Sequence, residues 1–198
     1  MLGWRNAISS RRGYFVLKTV LRLFCLFLIL CAAGCAAHQP LSADREQQKI
    51  DALTRDLLSL HSSIDRGSAR MVARTAVLYS RELADRYGVT GSPRFHNLLV
   101  NVGLKERGLC YQWTDDLLVR LKSLGVRLFD FHSAVAHRDS DLREHSSVVV
   151  TPHGTAFETG IMLDGWRYSG DLYWSAVQDD SYEWSQRYPN LQQQTGSL

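Results

Sequence analysis

Residues 108–117 read Gly-Leu-Cys-Tyr-Gln-Trp-Thr-Asp-Asp-Leu and place a cysteine where a glycine-containing turn runs into a helix. Cys110, Trp113 and Leu117 follow one another at three- and four-residue steps, which predicts one buried helix face. Gly125 is a stop signal for that helix. A thiol in the first turn of a helix gains thiolate character from the unpaired N–H groups and the helix dipole. Cys110 is therefore either a small buried core residue without a chemical role or a nucleophile.

Helices are also predicted on the N-terminal side of this stretch. Apolar residues recur at helical spacing from Asp44 to about Ile64, and residues 67–68, Gly-Ser, interrupt that pattern. A second amphipathic helix is predicted from about Ala69 to Tyr87. Pro93 suits the first turn of a short third helix. Two long helices and a short one thus precede the cysteine helix.

The chain after Gly125 changes to a strand-like pattern. Residues 126–136 alternate in a β-like way, and residues 146–151 and 156–163 form two further strand-like runs. A weaker strand or helix covers residues 172–177. Because the helices come first and the strands follow with short turns between them, the order predicts an α+β fold with a mainly antiparallel sheet.

The first 35 residues have the pattern of a secretory signal peptide. Five basic residues and no acidic one precede an apolar run, residues 23–30, that is short for a membrane span. The segment ends in Ala-Ala-Gly-Cys at residues 32–35, which resembles the bacterial lipobox, although Leu usually stands where Ala32 is. That resemblance implies a lipoprotein anchored through Cys35 to the outer membrane and facing the periplasm. Residues 36–43 would form a tether, and residues 44–198 a single domain.

The charge balance and the number of cysteines argue against two classes of protein. The predicted signal peptide holds 5 of the 23 Lys and Arg residues and none of the 20 Asp and Glu residues, which leaves 18 basic against 20 acidic residues. We therefore expect no nucleic-acid partner, since such a partner needs a basic face. Cys25 and Cys31 would leave with the signal peptide and Cys35 would carry lipid. Cys110 then remains as one unpaired thiol in an exported protein, which is not a disulfide scaffold.

Two further residues complete a possible catalytic arrangement with Cys110. His145 stands directly before the strand-like run 146–151, and Asp164 ends the next run and precedes Gly165. If the two strands pair, Asp164 can lie beside His145, orient its ring and stabilise its charged form. Three groups of this kind are what an activated thiol nucleophile requires.

In this order, Cys110, His145 and Asp164 resemble the transglutaminase-like branch of the papain-like cysteine hydrolase superfamily. The matching motifs are Gly-x-Cys with an aromatic residue three positions later, His before a β run, and Leu-Asp-Gly-Trp at residues 163–166, where the family often has Leu-Asp-Pro-Trp. The resemblance covers about residues 93–175. It implies a core in which the cysteine helix packs on an antiparallel sheet that carries His and Asp. It also implies that Cys110 is the nucleophile, His145 the base and Asp164 the orienting acid.

The activity that the resemblance implies is acyl transfer from an amide, as peptidase, amidase or transamidase. A peptide or a peptidoglycan-like amide is the expected substrate, and no cofactor is expected. The backbone N–H of Cys110 is one expected oxyanion donor, and Gln112 or Asn101 could supply a side-chain amide. The alternative is a catalytically inactive transglutaminase-like lipoprotein that serves as a binding or assembly module in the cell envelope. The acidic pair Asp115 and Asp116 beside the cysteine favours that alternative.

Other histidines compete with His145 for the role of base. His132 lies in a predicted strand and is the next candidate, His137 lies in a polar loop, and His153 lies in a Pro-His-Gly turn. No metal site is expected, because His132 and His137 are five residues apart on a strand-to-loop stretch, which is not a usual ligand spacing.

Overall fold

The computed structural model describes residues 18–20, 22, 42–138, 140 and 143–187. The chain divides into two compact units, residues 1–37 and 38–198. The described residues of the first unit are helical, and Cys35 and most of the predicted signal peptide and tether lie outside the described residues. In the described part of the chain, no helix is both long and apolar enough to cross a membrane.

Four helices form the first half of the second unit. They are α1 (Ala43–Ser59), α2 (Arg66–Arg86), α3 (Pro93–Asn101) and α4 (Cys110–Lys122). The prediction that Gly67 and Ser68 interrupt the helical region is wrong. The side chain of Asp65 accepts a hydrogen bond from the Ser68 N–H at 2.9 Å, so Asp65 is the N-cap and both residues lie in the first turn of α2.

Five strands follow and make one antiparallel sheet. They are β1 (Phe129–Ala136), β2 (His145–Pro152), β3 (Ile161–Asp164), β4 (Tyr173–Ala176) and β5 (Ser185–Gln186). Their order across the sheet is β4-β3-β2-β1-β5, and every pairing is antiparallel. The predicted α+β class with an antiparallel sheet is therefore confirmed. Two predicted boundaries differ, because the first strand begins at Phe129 and residues 157–159 form a 3-10 turn before β3.

The main core lies between the helices and one face of the sheet. Leu117 and Leu121 of α4 pack with Val148 and Val150 of β2, and Leu53 of α1 belongs to the same buried cluster. Helix α4 therefore lies on the centre of the sheet, and the first two helices help to cover it.

A second, smaller cluster covers the other face of the sheet. Val149 and Met162 pack there with Phe157 and Trp184. All eight residues of β2 are buried, because the strand is covered on both faces. By the alternation of side chains along a strand, His145 shares the face of Val149. The first residue of this central strand, His145, is thus buried.

Candidate active site

The turn that leads into Cys110 is held by side chains of α4 itself. The side-chain oxygen of Gln112 accepts hydrogen bonds from the backbone N–H groups of Gly108, at 2.7 Å, and Leu109, at 3.1 Å. The indole N–H of Trp113 donates to the Gly108 carbonyl at 3.0 Å. These bonds fix where the helix begins and hence where the Cys110 thiol lies. They also occupy the oxygen of Gln112, one of the two amides considered for the oxyanion.

His96 of α3 holds the same turn from the other side. Its side chain is buried, and its Nε2 lies 2.9 Å from the carbonyl oxygen of Arg107. Gly108 has a φ of +128°, and a Cβ there would lie 2.2 Å from His96 Nε2. Glycine is required at this position because an L side chain would be both strained and in collision with the ring.

His145 and Asp164 form a buried pair at the ends of two adjacent strands. His145 begins β2 and Asp164 ends β3, and their side chains meet with Nε2 2.7 Å from Oδ2. The side chains are 5% and 1% exposed, respectively. The structure thus brings together the two residues that the sequence predicts to be partners.

Asp164 is bound from three directions besides His145. Its Oδ1 accepts the backbone N–H groups of Trp166 and Arg167 at 3.1 and 3.0 Å, and its Oδ2 accepts Arg167 Nε at 3.0 Å. Arg167 in turn pairs with the fully buried carboxylate of Asp180, at 3.0 Å. Sequence reasoning missed Arg167 and Asp180, because nothing in the local pattern shows that positions 13 apart converge beside the pair of His145 and Asp164.

The pKa values of His145 and Asp164 both favour the charged forms of the two side chains. Burial alone would lower the pKa of His145, but the hydrogen bond that its ring donates to Asp164, together with the neighbouring Cys110, raises that pKa to about 9. Burial opposes ionisation of Asp164, yet His145 and Arg167 hold its pKa below the usual range. At neutral pH the pair is therefore an imidazolium next to a carboxylate.

Cys110 lies close to the start of β2 and lines the same cavity as His145. Its half-buried sulfur is 3.9 Å from the carbonyl oxygen of Glu144, the residue before His145. The Nδ1 atom of His145 is buried and has no hydrogen-bond partner in the described part of the chain. The thiol is therefore close enough to influence the ring, but its hydrogen bond goes to the neighbouring backbone. One ring nitrogen is thus bound to Asp164, and the other has no hydrogen-bond partner among the described residues.

Cys110 and His145 open into one cavity of about 610 Å³. One wall is a single face of α3, formed by Arg94, Asn97, Leu98 and Asn101. The other lining residues are Cys110, His137, Arg143, Glu144, His145, Trp166 and Tyr182. The Trp166 and Tyr182 rings lie 4.8 and 5.4 Å from the His145 ring, so aromatic side chains shield the base.

Asn97 is a polar group of this cavity that sequence reasoning missed. Its side-chain oxygen accepts the indole N–H of Trp166 at 3.0 Å. Because that bond occupies the oxygen, the NH₂ group is the part of Asn97 that remains to donate. Asn101, which the sequence suggested, also borders the cavity. A residue 69 positions from its partner could not be chosen from spacing.

The competing histidines and the acidic pair have other contacts. His132 lies 2.9 Å from Thr151 Oγ1 and 3.1 Å from the Gln186 amide, and His153 pairs with Asp130 at the surface. His137 reaches the cavity, where its ring packs against Tyr182.

Asp116 points away from the thiol. It accepts the Tyr87 hydroxyl at 2.6 Å and a guanidinium N–H of Arg107 at 3.1 Å. One of the two acids that favoured a non-catalytic protein is thus a structural anchor between α2 and α4.

Among the residues with described positions, no three His, Cys, Asp or Glu side chains converge in a way that could hold a metal ion. The chain matches no protein-family model, no curated protein and no solved structure.

Proposed function

We propose that this protein is a thiol acyl-transfer enzyme of the cell envelope, with Cys110 as nucleophile, His145 as base and Asp164 as the residue that orients the base. The observation that carries the proposal is the free Nδ1 of a buried, Asp-bound His145, at a cavity that Cys110 also lines. A papain-like, transglutaminase-like core is part of the proposal. The packing of α4 on the antiparallel sheet supports it.

The chemistry begins with a charged pair. Since His145 is protonated at neutral pH, its imidazolium would stabilise a Cys110 thiolate by charge. The thiolate attacks the amide carbonyl carbon, and the tetrahedral oxyanion collapses as the C–N bond breaks. Nδ1–H of His145 gives its proton to the leaving amine, and a thioester remains on Cys110. Water or a second amine then attacks the thioester, His145 accepts its proton, and the thiolate is restored.

Two donors would stabilise the oxyanion. The backbone N–H of Cys110 belongs to the first turn of α4 and has no partner within that helix. The NH₂ group of Asn97 is the second donor, held in place by Trp166. Trp166 also packs on His145, so one indole positions both the base and the amide.

The place of action in this proposal is the periplasmic face of the outer membrane, with the lipid on Cys35 as anchor. A peptide or peptidoglycan-like amide is the proposed substrate. The basic residues and apolar run of the N-terminal 35 residues, together with the lipobox-like ending, support the location.

A binding or assembly module without catalysis is the second candidate. Exposed apolar side chains on and near α3 favour it, because such a patch is typical of interaction surfaces. They are Phe95, Leu98, Val102, Leu104 and Tyr111, each 49–72% exposed.

Alkylation of Cys110 separates the two candidates. At pH 6 an ordinary thiol is less than about 1% thiolate, whereas the imidazolium of His145 would keep Cys110 reactive. We expect iodoacetamide to modify Cys110 about 10- to 100-fold faster in the wild type than in His145→Ala, since the positive charge is lost. Mass spectrometry of the modified peptide, followed over time, measures both rates.

His153→Ala is the matched control, because His153 also pairs with an aspartate but lies at the surface. Its rate should equal the wild-type rate. Equal rates in the wild type, His145→Ala and urea-unfolded protein would contradict the acyl-transfer proposal and favour the binding module.

The role of Asn97 is tested with an activated ester. Asn97→Ala should slow the burst of nitrophenolate from p-nitrophenyl acetate by about a hundredfold, because one oxyanion donor is gone. Iodoacetamide labelling should not change, since alkylation forms no oxyanion. Asn101→Ala borders the same cavity and should leave both rates unchanged. A burst rate for Asn97→Ala equal to that of Asn101→Ala would show that Asn97 is not the donor.

A further inference from the structure

Two arginines that line the cavity have no carboxylate partner among the described residues. Arg94 of α3 and Arg143, just before β2, border the same space as Cys110. Within the described part of the chain, neither guanidinium makes a hydrogen bond or an ion pair, and the backbone N–H of Arg143 donates to the Ser140 carbonyl at 3.0 Å. Elsewhere at this end of the molecule, arginines are matched: Arg167 is bound by Asp164 and Asp180, and Arg187 by Glu144.

Among the lining residues that the structure describes, positive charge is therefore in excess. Glu144 is the one acidic residue among the lining residues that the structure describes, and Arg187 pairs with it from outside the cavity. The charge of His145 is matched by Asp164, so the excess positive charge comes from Arg94 and Arg143. An unpaired guanidinium is hydrated when the cavity is empty, and it binds carboxylates through its fork of N–H donors.

We infer that the site takes an acyl donor with a carboxylate close to its scissile amide, and that Arg94 and Arg143 bind this carboxylate. This inference rests on the proposed function and names the class of its substrate. Arg94 lies on the same face of α3 as Asn97, one turn earlier, so the oxyanion donor and the anion site share one rigid element. Leu98, on the same face, adds an apolar side chain to the lining.

Two alkylating reagents of the same size and different charge test this inference. Iodoacetate carries a carboxylate and iodoacetamide a neutral amide, and both react with the thiolate. The ratio of their rates at Cys110 therefore cancels the thiolate fraction and reports the local charge. We expect the ratio in the folded wild-type chain to exceed that of the urea-unfolded chain. Arg94→Gln and Arg143→Gln should each lower it by about two- to fivefold at low ionic strength.

Arg127→Gln is the matched control. Arg127 is exposed and precedes β1 at Phe129, the end of the strand away from Ala136, which pairs with His145. Its removal takes away the same net charge and should leave the ratio unchanged.

The double variant Arg94→Gln/Arg143→Gln decides the outcome. A ratio that stays equal to that of Arg127→Gln overturns the anion site, even if Cys110 remains reactive and dependent on His145. Failure of the proposed function has a different signature. In that case both reagents react slowly, and His145→Ala changes neither rate.

Discussion

Replacing Asp164 with Asn is expected to lower the free energy of unfolding by about 3–5 kcal/mol. The carboxylate is 1% exposed and accepts four hydrogen bonds, two of them from the positively charged His145 and Arg167. An asparagine of the same size keeps one acceptor, but it removes the charge and offers an N–H₂ group where donors already point. Urea unfolding followed by tryptophan fluorescence measures the loss.

The chain provides its own control for this prediction. Asp130 also pairs with a histidine, His153, but those side chains are 36% and 71% exposed. Water screens a pair of that kind, so Asp130→Asn should cost about 1 kcal/mol or less. If Asp164→Asn were no more destabilising than Asp130→Asn, the buried pair would not be the charged anchor described above.

The same variant should change how stability depends on pH. The pKa of His145 is about 9 in the folded protein against an ordinary value of 6.5. A raised pKa stabilises the folded state fully below pH 6.5, and this contribution of about 3 kcal/mol disappears as the pH rises through 9. The pKa of Asp164 is lowered, so its contribution is present above its ordinary value of 3.8 and is lost as the pH falls through the folded value.

The difference in unfolding free energy between the wild type and Asp164→Asn should therefore be largest between about pH 4 and 6.5 and shrink on both sides of that range. A difference that stayed constant from pH 5 to 10 would argue that the variant acts through packing alone.

Gly108→Ala is expected to destabilise the protein by about 2–5 kcal/mol. A side chain at a φ of +128° costs about 1–2 kcal/mol, and overpacking against a buried ring adds about 1–3 kcal/mol. The collision is with His96, whose Nε2 would lie 2.2 Å from the new Cβ. Since this turn positions Cys110, the burst with p-nitrophenyl acetate should also weaken in the fraction that remains folded.

Gly103→Ala separates the two costs. Gly103 has a φ of +78° with no heavy atom within 4 Å of the position of a Cβ, so the variant carries the backbone strain without the collision. It should cost about 1–2 kcal/mol. The double variant Gly108→Ala/His96→Ala should be less destabilised than the sum of its two single changes, since the collision is removed. Additive losses would show that His96 does not hold the turn.

The parts of the fold that follow local patterns could be predicted from the sequence. Amphipathic spacing indicates the helices, and alternation indicates β1. Short strand-like runs bounded by turns indicate β2 and β3, which are buried along their whole length. The sequence pattern places the start of α2 at about Ala69, three residues too late, because Gly67 is a strong break signal. Asp65 is nevertheless an ordinary N-cap residue, and α2 begins at Arg66. Strand β5 has two residues, which is too short for any periodicity.

The partnership of His145 and Asp164 was predictable for a similar reason. Each stands at the end of a strand-like run, and short connections make neighbouring runs pair as antiparallel strands. Gly165 departs from the proline that is common in the transglutaminase-like pattern. A Cβ at this position would lie 2.8 Å from Ser80 Oγ and 3.1 Å from the Trp113 ring, which is a physical reason for glycine here.

The sequence alone determined the α+β class, most of the helices and strands, and the pairing of His145 with Asp164, because each depends on patterns that extend over a few residues. Only the tertiary structure decided what surrounds Cys110. Trp166 binds Asn97 from 69 positions away, Asp180 holds Arg167, and α3 presents Arg94 to the cavity. These contacts join elements whose packing is set by the whole core, so no local spacing encodes them.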